Sequence, residues 1–455
     1  MMRRFQAPLL LFLLVGAYAH AALLTAQPIL LPEFGATNVP PDTLLEIHAD
    51  QALHIGSGTL TVSNSEGKMV DILDLGVSIQ TNTVGGKSLR YIPVISETNT
   101  LLIQLHSGVL SPGSTYTVSL DPQAILFADG KSALPPRTKS WSFTVRPNLP
   151  KGKRTCTVGP GPECDFATVQ GAVDAFPNAA DTHPVIVVKK GVIHGLIVIP
   201  SGKNHLTIRG EGRQESVLEG FNNNTLNPSS SLRAACDVEA DDFRMENLTL
   251  RNSTPYKGSQ AEALRIQADR ALLLGCDFSS FQDTLQLSGS VYVKDCLVSG
   301  DVDFIWGEGT AFFQDCELRA LHDGYYLQSR SDAGGGFVFL NCRLTAAPGV
   351  SNNVLARIEC DRFPYSAAAY LNCAMGPHVP KVGWNIQGAS TNSLRYGESG
   401  TTDLAGKRVN LVGRNPIART FTPEEVVELS DPKKVFSKAS FWDPAKAALS
   451  IKTSP

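Results

Sequence analysis

The sequence predicts an all-β chain in two parts, a small β-sandwich followed by a parallel β-helix, and three observations predict it. From Pro28 to Val145, short alternating strands are broken at close intervals by turn-forming residues. Beyond about residue 155 the texture changes to a recurring unit: an apolar run, then Asp or Asn, then often Cys, then another short apolar run. Cys276, Cys296, Cys316, Cys342 and Cys373 mark copies spaced from twenty to thirty-one residues apart, with no helical periodicity between them.

The N-terminus carries Arg3 and Arg4, an apolar run from Pro8 to Val15, and small residues from Ala17 to Ala21. These are the three parts of a secretory leader, here residues 1–26, and they predict an exported protein, secreted or periplasmic. The apolar run is far short of the ~20 residues that cross a bilayer, so no membrane span is expected. Strands of the sandwich, residues 28–146, read as Thr43–His48, Gly58–Val62, Leu101–Leu105, Thr115–Leu120 and Ser140–Val145. The stretch Ala36–Asp42 and the closing Trp141–Val145 resemble the bacterial immunoglobulin-like modules attached to exported enzymes. Residues 147–155 have the Pro, Gly and charge content of a linker.

The second part, residues 156–455, opens with apolar residues at helical spacing over Phe166–Phe176, a helix expected to cap the open end of the coil. The repeated unit follows in Phe243–Leu248, Val291–Cys296, Ala311–Cys316, Phe337–Cys342 and Ala369–Cys373. Each copy places the same residue types at the same point of the turn, which predicts Asn and Cys ladders inside a parallel β-helix. The tail after Pro423 is expected to be helical and to pack on the outside. Nine cysteines in an exported chain permit disulfides, although the odd count leaves at least one thiol over. Cys156 and Cys164 flank a short loop that a bond would close. The rung spacing favours a Cys296–Cys316 bond over the alternative, in which the thiols stack as small apolar side chains.

Length and charge narrow the function. A chain of 455 residues suggests roughly two to four domains. A net charge of −3 with 42% hydrophobic residues describes an ordinary globular protein without a basic stripe, which argues against nucleic acid as a partner. A neutral or acidic small substrate or polymer fits better.

The chemistry gathers on the solenoid. Asp283 and Asp303 each follow a cysteine by seven residues, and those cysteines, Cys276 and Cys296, are twenty apart. If twenty residues make one rung, the two aspartates stack about 4.8 Å apart. Acids that close seldom share one protonation state, so one is expected to be ionised and the other to hold a proton. Gln260 lies twenty-three residues before Asp283, close to one further rung, and Gln282 precedes Asp283 directly. Neutral donors beside paired acids suit a reaction in which negative charge develops on a carbonyl oxygen. Each residue also has a plainer explanation, since aspartates and glutamines in β-helices often serve turns or side-chain ladders.

The run from Gln260 to Arg357 resembles the pectin methylesterases, carbohydrate esterases that demethylate homogalacturonan on a right-handed parallel β-helix. The motifs that carry the likeness are Gln260-Ala261-Glu262-Ala263-Leu264, Gln282-Asp283-Thr284-Leu285, Asp303-Phe304-Ile305-Trp306-Gly307 and Leu355-Ala356-Arg357. A wider similarity reaches from about residue 155 to 445, taking in Val382-Gly383-Trp384 and Phe441-Trp442-Asp443-Pro444. The resemblance implies that Asp303 attacks the ester carbonyl, Asp283 protonates departing methanol and then activates water, and Gln260 and Gln282 stabilise the oxyanion. It implies that Arg357 holds Asp303 ionised, lowering its pKa, that no metal or cofactor takes part, and that the partner is pectin or a methylated oligogalacturonide. The enzyme is expected to act as a monomer. Two departures bear on substrate. The family's tryptophan two residues after the arginine is Glu359 here, and its early Gly-x-Tyr-x-Glu pattern reads Gly191-Val192-Ile193-His194-Gly195. Trp306, Phe281 and Trp384 are expected to supply the stacking surface instead.

A serine esterase is excluded because no Gly-x-Ser-x-Gly elbow occurs. Two rivals remain: a glycosidase on the same fold, since closely spaced carboxyls also serve retaining glycosidases, and a silent β-helix that only binds cell-wall polymer.

Overall fold

The computed structural model describes residues 28–133, 141–148, 153–178, 183–437 and 441–449. The expected leader, residues 1–26, and part of the expected linker, residues 149–152, lie outside the described residues.

The first part is built mainly from two sheets, with two two-stranded pairs beside them. One holds Ile29–Leu31, Leu45–His48, Thr100–Ile103 and Val94–Glu97 in that order, all antiparallel. The other holds Ala36–Val39, Trp141–Val145, Thr115–Leu120, Thr59–Asn64 and Met69–Asp74. Alternation sets the faces: Leu45 and Ile47, Leu60 and Val62, Leu101 and Ile103, Trp141 and Phe143 all turn into a shared core while their neighbours face out.

The second part is a parallel β-helix. Its long sheet runs from Thr155–Val158 through Leu264–Leu274 and Leu285–Lys294 to Arg419–Thr420, and a second sheet of nine parallel strands runs from Gly191–His194 to Thr402–Asp403. Leu285 pairs with Ile305, Val291 with Ala311 and Asp277 with Leu297, so one rung is twenty residues where the cysteine repeat said it would be.

The residue before each cysteine explains the repeat. Gly275, Asp295, Asp315, Asn341 and Asn372 all have left-handed backbones, with φ of 61, 54, 54, 54 and 50°. Glycine, Asp and Asn tolerate that conformation best, so the motif marks a corner of the coil. The expected internal asparagine ladder is corrected accordingly: Asn341 and Asn372 are exposed at the corner, and Asn341 Nδ2 donates to Asp315 Oδ1 of the neighbouring rung at 3.3 Å. The cysteines alone face inward. The expected Cys296–Cys316 and Cys156–Cys164 bonds are also corrected, because all nine cysteines are free and buried. In-register stacking keeps the Cα–Cβ bonds of successive rungs parallel, whereas a disulfide needs them to converge. Cys296 and Cys316 instead point their thiols at the Leu273 and Val293 carbonyls, both at 3.5 Å.

Helix α1, Val169–Ala175, caps the end of the coil with Val169, Ala172 and Val173 against the main core. It starts three residues later than the apolar spacing suggests, because Thr168 is its N-cap, accepting from Gly171 N at 3.0 Å, and Phe166 bridges to Val158. At the other end, α2 (Pro423–Leu429), α3 (Pro432–Ser437) and α4 (Pro444–Leu449) cover an apolar patch on the outer face of the long sheet. Phe436 and Trp442 meet Tyr292 and Phe312 there.

The two parts are joined by more than the chain. The hairpin Gln80–Val84/Lys87–Tyr91 packs Val84, Leu89 and Tyr91 on Leu196 and Val198 of the coil. Lys87 Nζ reaches Asp237 at 2.5 Å and Glu239 at 2.7 Å. Asp42 accepts from Ala167 N, Thr168 N and Thr168 Oγ1 at 3.0, 2.7 and 2.6 Å, at the entry to α1.

Candidate active site

The segments that precede successive strands of the long sheet stack on one another and form the floor of the site. Ala261 N donates to Gln282 O at 3.1 Å, Asp283 N to Val302 O at 3.1 Å, and Ile305 N to Tyr326 O at 3.1 Å. Asp283 and Asp303 therefore occupy equivalent places one rung apart, both with left-handed backbones, φ 68 and 49°. That conformation swings each carboxyl out of the alternation of its strand, away from the apolar interior that takes Leu285 and Ile305. Their residue exposures are 7% and 4%, so both aspartates are buried.

Equivalent places do not give equivalent surroundings. Arg357, on the strand Ala356–Glu359, grips Asp303 with both ends of its guanidinium: Nε donates to Oδ1 at 3.1 Å and Nη2 to Oδ2. Gln328 Nε2 adds a third donor at 3.3 Å, and the Arg357 guanidinium lies 4.9 Å from the centre of the Tyr325 ring. Burial pushes Asp303 above the ordinary aspartate range, with Arg357 and Arg330 opposing it. Arg357 lowers it as expected, but desolvation outweighs the ion pair and the net shift is upward. Asp283 is pushed much further up, by burial first and then by the charge of Glu262, with Asp303 adding to it. Arg233 and Arg330 pull the other way. One carboxyl is surrounded by donors and the other stands beside a second buried acid.

Gln260 and Gln282 flank the pair, both half-buried. Gln260 Oε1 accepts from Ser259 Oγ at 3.0 Å. Ser259 has a left-handed backbone, φ 103°.

The expected stacking surface is corrected in two of its three members. Trp384 is 1% exposed, stacked on Tyr396 at 5.0 Å, with Nε1 donating to Glu398 Oε1 at 3.2 Å, so it belongs to the core. Trp306 is 3% exposed and its ring is covered by the Arg330 guanidinium at 4.3 Å. Phe281 stays partly open, and beside it lie two aromatic rings that sequence reasoning missed: Tyr256 at 5.5 Å and His322 at 5.6 Å, themselves stacked at 3.7 Å. Arg233, Glu262 and Gln328 were missed as well. Only Glu262 left a signal, as an acid between two alanines that continue an apolar strand.

Comparison with known proteins agrees with this architecture. The pectinesterase family profile matches residues 155–430. Pectinesterase 31 of Arabidopsis thaliana is 32% identical over 244 residues, 50% of this chain and 75% of that protein. Among solved structures, the pectin methylesterase from carrot superposes with a TM-score of 0.58 at 23% identity over 64% of this chain and 95% of its own. A pectin methylesterase in complex with a hexasaccharide gives 0.53 at 22% identity over 64% and 98%. This chain spans less than two thirds of several longer curated relatives. Fold and profile place it among the β-helical carboxylic ester hydrolases. It belongs to the pectinesterase family.

Proposed function

We propose that this chain hydrolyses the methyl esters of galacturonate in pectin, with Asp303 as nucleophile and Asp283 as acid and base. The observation that carries the assignment is the asymmetry of the two carboxyls: Arg357 holds Asp303 in a two-point ion pair, while Asp283 faces the buried Glu262. Asp303 attacks the carbonyl carbon, and the negative oxygen that forms is stabilised by the amides of Gln260 and Gln282. Asp283 gives its proton to the methoxide oxygen as the C–O bond breaks, releasing methanol and leaving an acyl–Asp303 anhydride. Asp283, now ionised, takes a proton from water, which attacks the anhydride. Asp303 leaves as carboxylate, the galacturonic acid departs and loses its proton to solvent, and both aspartates return to their starting states. Phe281, with Tyr256 and His322, offers the remaining aromatic surface for a sugar ring.

The same proposal includes export by a leader over residues 1–26, an immunoglobulin-like module over 28–146 joined by 147–155 to a catalytic domain over 156–455, and action as a monomer on methylated oligogalacturonides. Among the described residues no helix is long and apolar enough to cross a membrane. Methanol release from highly methylated pectin tests the proposal. Methanol without new reducing ends supports the esterase, and new reducing ends would point to a glycosidase. Binding of pectin without release of either would leave only the binding role. Asp303→Asn is expected to retain pectin binding and lose methanol release.

A further inference from the structure

The buried ion pair behind Asp283 takes no part in the steps above. Arg233 precedes the strand Cys236–Val238, and its guanidinium ends between two carboxyls. Three of its contacts go to Glu262: Nε to both oxygens at 3.0 and 2.9 Å, and Nη2 to Oε1 at 2.7 Å. One contact, Nη2 to Oδ2 at 2.7 Å, goes to Asp283, while Nη1 is held by Asn224 Oδ1 at 3.1 Å. Glu262 is wholly buried, between Ala261 and Ala263 in the rung before Asp283. An acid in such a place is costly unless a partner compensates it, and here the partner is shared with the residue assigned as proton donor.

Resting on the role proposed above for Asp283, we infer that Glu262 is a positioning residue that occupies the charge of Arg233 and so keeps Asp283 in its proton-donating form. An arginine facing Asp283 alone would favour the carboxylate by about one to three pH units. A carboxylate cannot protonate the leaving methoxide. With Glu262 present, one guanidinium meets two carboxyls, and the two-point contact goes to Glu262. The proton of the cluster then resides on Asp283, which has a single contact. Four charged groups face Asp283: Glu262, Arg233, Asp303 and Arg330. Asp303 opposes its ionisation. Arg330 favours it, but that guanidinium lies over the Trp306 ring and donates to Gln328 Oε1 rather than to either aspartate. Glu262 in turn faces Arg233, Asp283 and the edge of Trp306.

The test is the pH profile of kcat/KM for methyl-ester hydrolysis by the full chain, whose alkaline limb reports loss of the Asp283 proton. In Glu262→Gln the freed Arg233 turns to Asp283, and the alkaline limb moves to lower pH by about one unit or more. Removing both charges in Arg233→Gln/Glu262→Gln returns the limb to within about 0.3 unit of the parent. A merely structural Glu262 would lower activity at every pH and leave the limb in place, and that result in folded protein overturns the inference. If Glu262→Gln does not fold, infrared difference spectra of the parent against Asp283→Asn decide. A protonated-carboxyl band belonging to Asp283 at about pH 6 is expected, and its absence overturns the inference. Asp283→Asn also separates the two levels. If it keeps the parent's turnover, the role of Asp283 falls and the inference with it. If it is inactive while the limb of Glu262→Gln stays still, the inference alone falls.

Discussion

Asp303 and Asp283 have the same side chain, the same left-handed backbone and equivalent places in adjacent rungs, so whatever separates their chemistry comes from the residues that face them. Arg357 is the partner that Asp303 has and Asp283 lacks. Because burial already lifts Asp303 above the ordinary aspartate range, its carboxylate form is lost as pH falls through that raised value. The acid limb of kcat/KM is therefore expected above the range of a free aspartate. In Arg357→Gln, burial acts with less opposition, and the limb is expected to rise by about one to three units. A limb that stays put in this variant would show that Arg357 does not govern Asp303. Gln260→Ala is expected to lower kcat roughly a hundredfold, the order found on losing one oxyanion donor, and a loss below about threefold would assign Gln260 a structural role. The aspartates, Arg357 and both glutamines were legible because they sit in contiguous motifs. Arg233 was not, since it reaches Asp283 across fifty residues from a segment with no motif of its own. Trp384 misled for the opposite reason: its motif is local, while its burial depends on Tyr396 and Glu398 from a later rung.

The strands and corners of the coil are where sequence and structure agree best, because each rung repeats one local solution. The twenty-residue period fixes register, and the Gly, Asp or Asn before each cysteine of the repeat fixes the corner. Asn341, exposed with φ 54°, is expected to tolerate Gly, whereas Asn341→Val should cost about 1–2 kcal/mol through the left-handed strain of a β-branched residue, as read by thermal or denaturant melts. The cysteines carried an ambiguity that spacing cannot resolve, since a rung separation suits both a bond and a stack. What decides is side-chain direction, and the thiols of the ladder, Cys276, Cys296, Cys316, Cys342 and Cys373, face inward to backbone carbonyls and apolar neighbours. Thiol titration of the denatured, unreduced chain is expected to return nine free thiols. A reducing agent should leave the melting temperature unchanged. Fewer thiols, or a melt that drops on reduction, would restore a disulfide.

At the scale of the whole molecule, the composition of residues 147–155 suggests two bodies on a loose tether, and the contacts across the junction argue otherwise. Arg146 donates to the carbonyls of Cys164 and Pro162 at 2.6 and 2.7 Å, anchoring the chain at the point where it leaves the sandwich. Lys87 bridges to Asp237 over a separation of 150 residues. Pairings that remote leave no local pattern, which is why the interface was invisible where the rungs were plain. Asp42 ties the first part to the helix that closes the coil. It is the acceptor for two backbone N–H groups and one hydroxyl at the entry to α1, and a Cβ on Gly171 would strike it. Asp42→Ala would leave those donors unpaired beside the helix that closes the coil, at a cost of about 1–3 kcal/mol. If the module is part of one folding unit, calorimetry of the parent gives a single transition, and Asp42→Ala lowers it as a whole. If the module is only tethered, two transitions appear and the substitution moves neither the β-helix melt nor its activity.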